Sequence, residues 1–146
     1  MTAQKATIGI AAATAAIMIT VVAALLSSST LVHTTGAVKT IGVSVYWDAS
    51  CTNATSSIDW STLAPNTSRS IFLYIKNNGT APLRLSMSTS AWSPSNASSY
   101  LPLSWNCTNA IVNVNAVTCA NLTLSVSPNI AGISSFSFDL IIAGTE

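Results

Sequence analysis

The chain has 146 residues, enough for one compact domain and one additional element. Only 6% of the residues are charged and the formal net charge is +1, whereas about 25% are charged in an ordinary soluble domain. This composition excludes a nucleic-acid-binding protein, which needs clustered basic residues, and a highly charged disordered chain. Because charges are so few, hydroxyls, amides or attached sugars must wet the surface.

The first predicted element is an apolar segment at residues 6–26, which contains no charge, Asn, Gln, Pro or His. As a helix, its length would be about 30 Å, the thickness of the hydrocarbon core of a bilayer. It has no polar face, so it does not fit a soluble amphipathic helix. The segment is therefore a membrane span, a signal peptide or a helix buried among other helices.

Small residues in this segment favour a helix that packs against other helices. They recur at a spacing of four, as in Gly9 with Ala13 and Ala12 with Ala16, and such spacing lets helix backbones approach closely. We expect one helix over residues 6–35, ended by Gly36. A plain signal-anchor helix is an alternative. A cleaved secretory signal is disfavoured because the apolar run exceeds the usual 7–15 residues or so.

From residue 36 onward the pattern changes to alternating apolar and polar residues, which is typical of half-buried strands. Turn residues such as Pro65, Gly79, Pro94 and Pro128 separate the strands. This pattern predicts an antiparallel β-sandwich over 36–146 and, with the long N-terminal hydrophobic helix, an α+β fold class. The predicted strand segments are 41–45, 58–60, 71–75, 83–87, 101–105, 111–114, 122–126 and 136–142.

Two cysteines, Cys107 and Cys119, lie at the two ends of a predicted hairpin, so a cross-strand disulfide is expected between them. Three buried free thiols are the alternative, and the pairing of Cys51 stays open. The sole histidine is His33, outside the β domain, so no zinc-binding pattern exists.

Six Asn-x-Ser/Thr sequons occur in the β domain and none in the apolar segment. They predict an exported, glycosylated domain. Four tryptophans lie in or beside the predicted strands; core packing is the favoured interpretation and a carbohydrate-stacking surface the alternative. The sequon asparagines are Asn53, Asn66, Asn78, Asn96, Asn106 and Asn121.

No catalytic constellation is recognisable in the sequence. Without a histidine in the β domain, neither a Ser-His-Asp nor a Cys-His arrangement can form there. A carboxylate pair of Asp48 and Asp59 is conceivable, but no other residue supports it. We therefore expect no enzymatic activity, no cofactor and no metal.

The complete organisation resembles that of archaeal type IV pilins, in particular the adhesion pilins of thermophilic crenarchaea such as the Sulfolobales. Its most specific local part is Lys5–Ala6–Thr7–Ile8, which is similar to the Lys/Arg–Gly/Ala pair before the apolar helix of archaeal prepilins; Thr7 stands where a hydrophobic residue is more usual. Residues 63–83 also resemble immunoglobulin-like domains of archaeal surface proteins.

This resemblance implies a leader over residues 1–5 that a prepilin peptidase removes near Lys5, Ala6 and Thr7. It implies that mature helices leave the membrane and pack in the core of a homopolymeric filament on the cell surface, with the glycosylated immunoglobulin-like domains outside. Pilus assembly machinery would be the other partner. The alternatives are a monomeric membrane-anchored binding module and a viral or envelope structural protein of the same plan.

Overall fold

The computed structural model describes residues 32–146, and these residues are mainly β-sheet. Strands account for 56% of them and helix for 4%. The only helical element in this range is a short 3-10 helix, Ser95–Ser99. The nine strands are β1 Val32–Ile41, β2 Ser44–Tyr46, β3 Ser57–Leu63, β4 Ser68–Lys76, β5 Leu83–Ser93, β6 Leu103–Trp105, β7 Ile111–Val112, β8 Val117–Ser125 and β9 Ser135–Thr145.

The strands form two sheets. The five-stranded sheet has the order β3-β1-β9-β5-β7, and the four-stranded sheet has the order β2-β4-β8-β6. All strand pairs are antiparallel except β1 and β9, which run parallel with His33 opposite Ser135 and Ile41 opposite Ala143. The first and the last described strand are therefore neighbours in the middle of one sheet.

Alternation along the strands builds one hydrophobic core from both sheets. In β4, Leu73 and Ile75 are fully buried, whereas Ser68 and Phe72, which precede them in the strand, face solvent. Burying one such aliphatic side chain contributes about 1.5–3 kcal/mol. The largest fully buried side chains are Trp60, Phe138, Ile58, Leu73, Ile75, Leu85, Leu101, Leu122, Leu124, Leu140 and Ile142.

Three of the four tryptophans pack in or against this core. Trp60 is fully buried. Trp92 stacks on Phe138 with ring centroids 4.2 Å apart, and Trp105 packs against the core while its indole N–H donates to Thr108 Oγ1 at 2.9 Å. Trp47 is exposed. The favoured interpretation of the tryptophans thus holds for three of them.

The predicted α+β class is wrong. Residues 32–146 contain no helix of seven or more residues and no apolar helix. The expected helix extended to residue 35, but Val32–Ile41 is a strand, and Gly36, the expected helix stop, lies inside it paired with Phe138. The segment is rich in β-branched Val, Thr and Ile, and it pairs on one side with β3 and on the other with β9. Residues 6–31 of the predicted helix lie outside the described residues.

Two further expectations about the strands need correction. The sandwich is not wholly antiparallel, because β1 and β9 run parallel. The predicted strand 41–45 is interrupted at Gly42, whose φ of +74° ends β1 before β2 begins at Ser44. Within residues 32–146, no helix has the length and apolar character needed to cross a membrane.

Candidate glycosylation surface

Five of the six sequon asparagines are exposed, and four of these lie in connections between strands. Asn53 follows β2, Asn66 lies between β3 and β4, Asn78 lies between β4 and β5, and Asn106 follows β6. Asn66 adopts a φ of +59°, a left-handed conformation that asparagine tolerates better than most residues. The fifth, Asn96, is in the 3-10 helix.

A carboxylate organises the loop that carries Asn53. Asp48 accepts hydrogen bonds from the Thr52 hydroxyl at 2.7 Å and from the backbone N–H of Asn53 at 2.7 Å. These bonds favour the charged form, so they lower the pKa of the Asp48 carboxyl below its ordinary value of 3.8, with the Thr52 hydroxyl as the largest cause. The backbone N–H of Trp47 also donates to the backbone carbonyl of Asn53 at 2.8 Å. The Asn53 backbone is thus fixed while its side chain faces solvent.

A buried asparagine supports the sequon at Asn78. The Asn77 side chain is fully buried and donates to the carbonyls of Ala81 at 2.8 Å and Val112 at 2.9 Å. Its Oδ1 accepts the N–H of Gly79 at 2.8 Å. These hydrogen bonds from the buried Asn77 side chain stabilise the turn. Asn78 lies at the surface of the turn, and its Nδ2 donates to Ser44 Oγ at 2.7 Å.

The fold brings two sequons together, those of Asn106 and Asn121. Asn106 Oδ1 accepts the backbone N–H of Asn121 at 2.8 Å. Asn121 lies inside β8 and is half-buried; its Oδ1 is buried and has no hydrogen-bond partner. The other sequon asparagines make no side-chain contact of this kind with one another.

All three cysteines are free thiols in the structure, so the predicted disulfide between Cys107 and Cys119 is not formed. The Sγ of buried Cys107 lies 3.6 Å from the carbonyl oxygen of Cys119, whereas the Cys119 side chain is exposed. Cys119 is at an outward position of β8, next to buried Ala120. Burial raises the pKa of the Cys107 thiol, and the neighbouring Cys119 adds to this shift.

One surface that the sequence interpretation missed is the outer face of the four-stranded sheet. We call the side chains of Tyr46, Phe72 and Tyr74 the outer aromatic face. Tyr46 and Tyr74 are paired across β2 and β4, and Phe72 is 57% exposed. The sequence contained a signal for this surface, because Phe72 and Tyr74 alternate with the residues of β4 that face the core. Our interpretation had considered tryptophan alone as a possible stacking residue.

A second surface feature lies on the outer side of the five-stranded sheet. An open depression of about 310 Å³ is lined by small side chains of β1, β3 and β9, among them Ala37, Ser57 and Ser137. Asp139 at this depression is paired with Lys39, with Nζ and Oδ2 2.5 Å apart. The Asp139 carboxylate is thus engaged in an ion pair with Lys39.

Asp48 and Asp59, the conceivable carboxylate pair, each have their own local role. Asp48 caps the loop after β2, and Asp59 accepts the N–H of Ser61 at 2.7 Å within β3. Among residues 32–146, no group of three or more His, Cys, Asp or Glu side chains is placed to hold a metal ion.

The residues predicted for processing and for helix packing lie outside the described residues, so the structure places none of them. They are Lys5, Ala6, Thr7, Gly9, Ala12, Ala13 and Ala16. Searches of the chain against protein-family models and against curated proteins gave no match.

Proposed function

We propose that the chain is a structural subunit, a pilin, of an extracellular adhesion filament of the archaeal type IV kind. The observation that carries the proposal is the surface of the β domain. It displays five exposed sequon asparagines, and its few carboxylates serve local structure. Such a surface suits an exported domain that is hydrated by sugars and hydroxyls.

The polymerising element in this proposal is the apolar sequence of residues 6–26. A segment of that composition is stable only where water is excluded, either in a membrane or in the interior of an assembly. Transfer between these two environments costs little hydrophobic free energy, so a membrane store of subunits can feed a growing filament. Identical head-to-tail contacts that do not close produce a fibre. The partners are then other copies of the chain, a prepilin peptidase and the assembly machinery.

The first test asks whether shearing releases the protein from cells in the form of filaments. Native cells are sheared, and the released fraction that contains the protein is imaged by electron microscopy. Ordered filaments that label with an antibody against the β domain are expected. A protein that stays with the membrane pellet and needs detergent would instead support the monomeric membrane-anchored binding module.

A matched pair of variants tests the role of the apolar segment. Ala13→Asp places a charge inside residues 6–26, where desolvation of the carboxylate opposes burial; we expect filaments to be lost. Ser29→Asp places the same charge beyond the apolar run and should leave filaments intact. Normal filaments from Ala13→Asp would show that this segment is not the buried element.

A further inference from the structure

Phe72 is an aromatic side chain in an unusual position, because it lies on the outward side of a strand and is 57% exposed. Its register partner on β8 is Asn121. Side chains of directly opposed residues in an antiparallel pair have Cβ atoms about 4.5–5.5 Å apart. An exposed aromatic ring and a sequon asparagine are thus immediate neighbours on one face of the sheet.

Asn121 is held through its backbone, and its side chain makes no hydrogen bond within residues 32–146. Its backbone N–H is held by Asn106 Oδ1 at 2.8 Å, and its Oδ1 is buried. The amide nitrogen of Asn121 is not fully buried. The atom that would carry a sugar is therefore neither fully buried nor engaged in a hydrogen bond within residues 32–146.

We propose that Asn121 is N-glycosylated and that the first sugar of its glycan stacks on the ring of Phe72. In the transfer, the amide nitrogen of Asn121 attacks C1 of a lipid-phosphate-linked oligosaccharide. The new N–C1 bond replaces the bond from C1 to the phosphate oxygen, the lipid phosphate leaves, and the amide loses one proton. The inference rests on the proposed export of the domain, since it requires an oligosaccharyltransferase acting on the exported chain.

The chemistry of the surrounding face suits a pyranose ring. A sugar presents C–H groups on one side and hydroxyls at its edge, so it can cover an aromatic ring and remain hydrated. Tyr74 lies two residues along β4 and adds a second ring with a polar tip. On the other side of the Phe72–Asn121 pair, the hydroxyls of Ser70 and Thr123 form a hydrogen bond with each other at 2.9 Å. The face between them is uncharged, so an uncharged ligand loses no ion hydration there.

The position of Asn121 also determines when it can be glycosylated relative to the pairing of β8 with its neighbouring strands. β8 is paired along its length with β4 and also with β6. A transferase that must bind the sequon backbone can reach Asn121 only before β8 joins its sheet. The exposed loop asparagines Asn53 and Asn78 stay accessible after folding.

Occupancy is the first measurement. Protein purified from native cells is digested, and glycopeptides are identified by mass spectrometry. A glycan on Asn121 is expected. If Asn53 or Asn78 carries a glycan and Asn121 does not, the inference is wrong while export stands. If no sequon is occupied, the glycosylated surface of the proposed function fails as well.

Stacking is tested by a cycle of four proteins expressed in the native host. Thr123→Ser keeps the sequon and Thr123→Val removes it, each with and without Phe72→Ala. Loss of the sequon should lower Tm by roughly 3 °C when Phe72 is present. It should lower Tm by clearly less when Phe72→Ala has removed the ring. The Ser70 bond is lost equally in both Thr123→Val proteins and cancels. Equal shifts in the two backgrounds would overturn the contact.

Discussion

At the scale of single residues, the buried side chain of Asn77 stabilises the fold by forming hydrogen bonds with three backbone groups. It is the one polar residue among the fully buried side chains of residues 32–146. It pairs with the carbonyls of Ala81 and Val112 and with the N–H of Gly79. A buried polar group of this kind is stabilising only while every partner remains satisfied.

We expect Asn77→Ala to lower the free energy of unfolding by about 2–3 kcal/mol, because it leaves buried carbonyls without a donor. Denaturant unfolding measures the loss. Asn113→Ala, at an exposed position one residue after Val112, is the control and should change stability by no more than about 0.5 kcal/mol. Equal stability of the two variants would contradict the role given to Asn77.

Asp48 makes the loop of Asn53 sensitive to acid. Its folded pKa lies below the ordinary value of 3.8. A depressed carboxyl pKa contributes stability above the unfolded pKa, and this contribution disappears as pH falls through the folded pKa. The effect is small because the group is at the surface.

Asp48→Asn should therefore remove a small acid-dependent part of the stability of the domain. Thermal unfolding followed from neutral pH to below pH 3.8 should show a steeper fall in Tm for the natural protein than for the variant. Thr52→Ala, which removes the largest cause of the pKa shift, should give an intermediate slope. Parallel curves for all three proteins would contradict this assignment.

At the scale of elements, the parallel pair of β1 and β9 depends on a residue without a side chain. A Cβ built on Gly36 would lie 2.8 Å from the carbonyl oxygen of Phe138. That oxygen belongs to the backbone of the central strand, so the strands would have to move apart. Only glycine permits the observed approach.

Gly36→Ala should destabilise the domain by about 1–3 kcal/mol through this overpacking. Chemical denaturation provides the measurement, and Ala37→Ser at the adjacent exposed position is the matched control. A neutral Gly36→Ala variant would mean that β1 and β9 tolerate a wider separation than the one observed.

At the scale of the whole molecule, stability comes from the apolar core and backbone pairing, with almost no contribution from surface charge. The ion pair of Lys39 and Asp139 is the one salt bridge within residues 32–146, and the Lys39 side chain is 59% exposed. An exposed pair of this kind contributes about 0.2–1 kcal/mol.

The Tm of the domain should accordingly change by less than about 2 °C between roughly 0.05 and 0.5 M NaCl, because salt has few charges to screen. Calorimetry at several salt concentrations measures this dependence. In Lys39→Gln, which removes the ion pair, the remaining dependence should be smaller still. A strong salt dependence in that variant would require electrostatic contributions outside this pair.

Much of the β domain could be predicted from local pattern. Alternation placed the strands that contain Leu73, Leu85, Leu122 and Leu140, because a period of two puts one side of each strand in the core. The turns at Asn66 and Asn78 followed from Pro, Asn and Gly chemistry. Core packing, the favoured interpretation for all four tryptophans, holds for Trp60, Trp92 and Trp105.

The pairing of strands that lie far apart in the sequence could not be predicted from local sequence pattern. The segment of Val32 to Ile41 follows a long apolar run, and its strand conformation depends on partners in β3 and β9 far along the chain. The separation of the Cys107 and Cys119 side chains likewise depends on which way each residue faces once the strands pair.

The sequence by itself thus determined the strand-forming segments, the turns, the low charge and the positions of the sequons, because these depend on neighbouring residues. Only the tertiary structure decided that β1 lies beside β9, that Asn121 is the register partner of Phe72, and that Cys107 is buried while Cys119 is exposed. Register and sheet order are set by packing the whole core at once, and no short stretch of sequence contains that information.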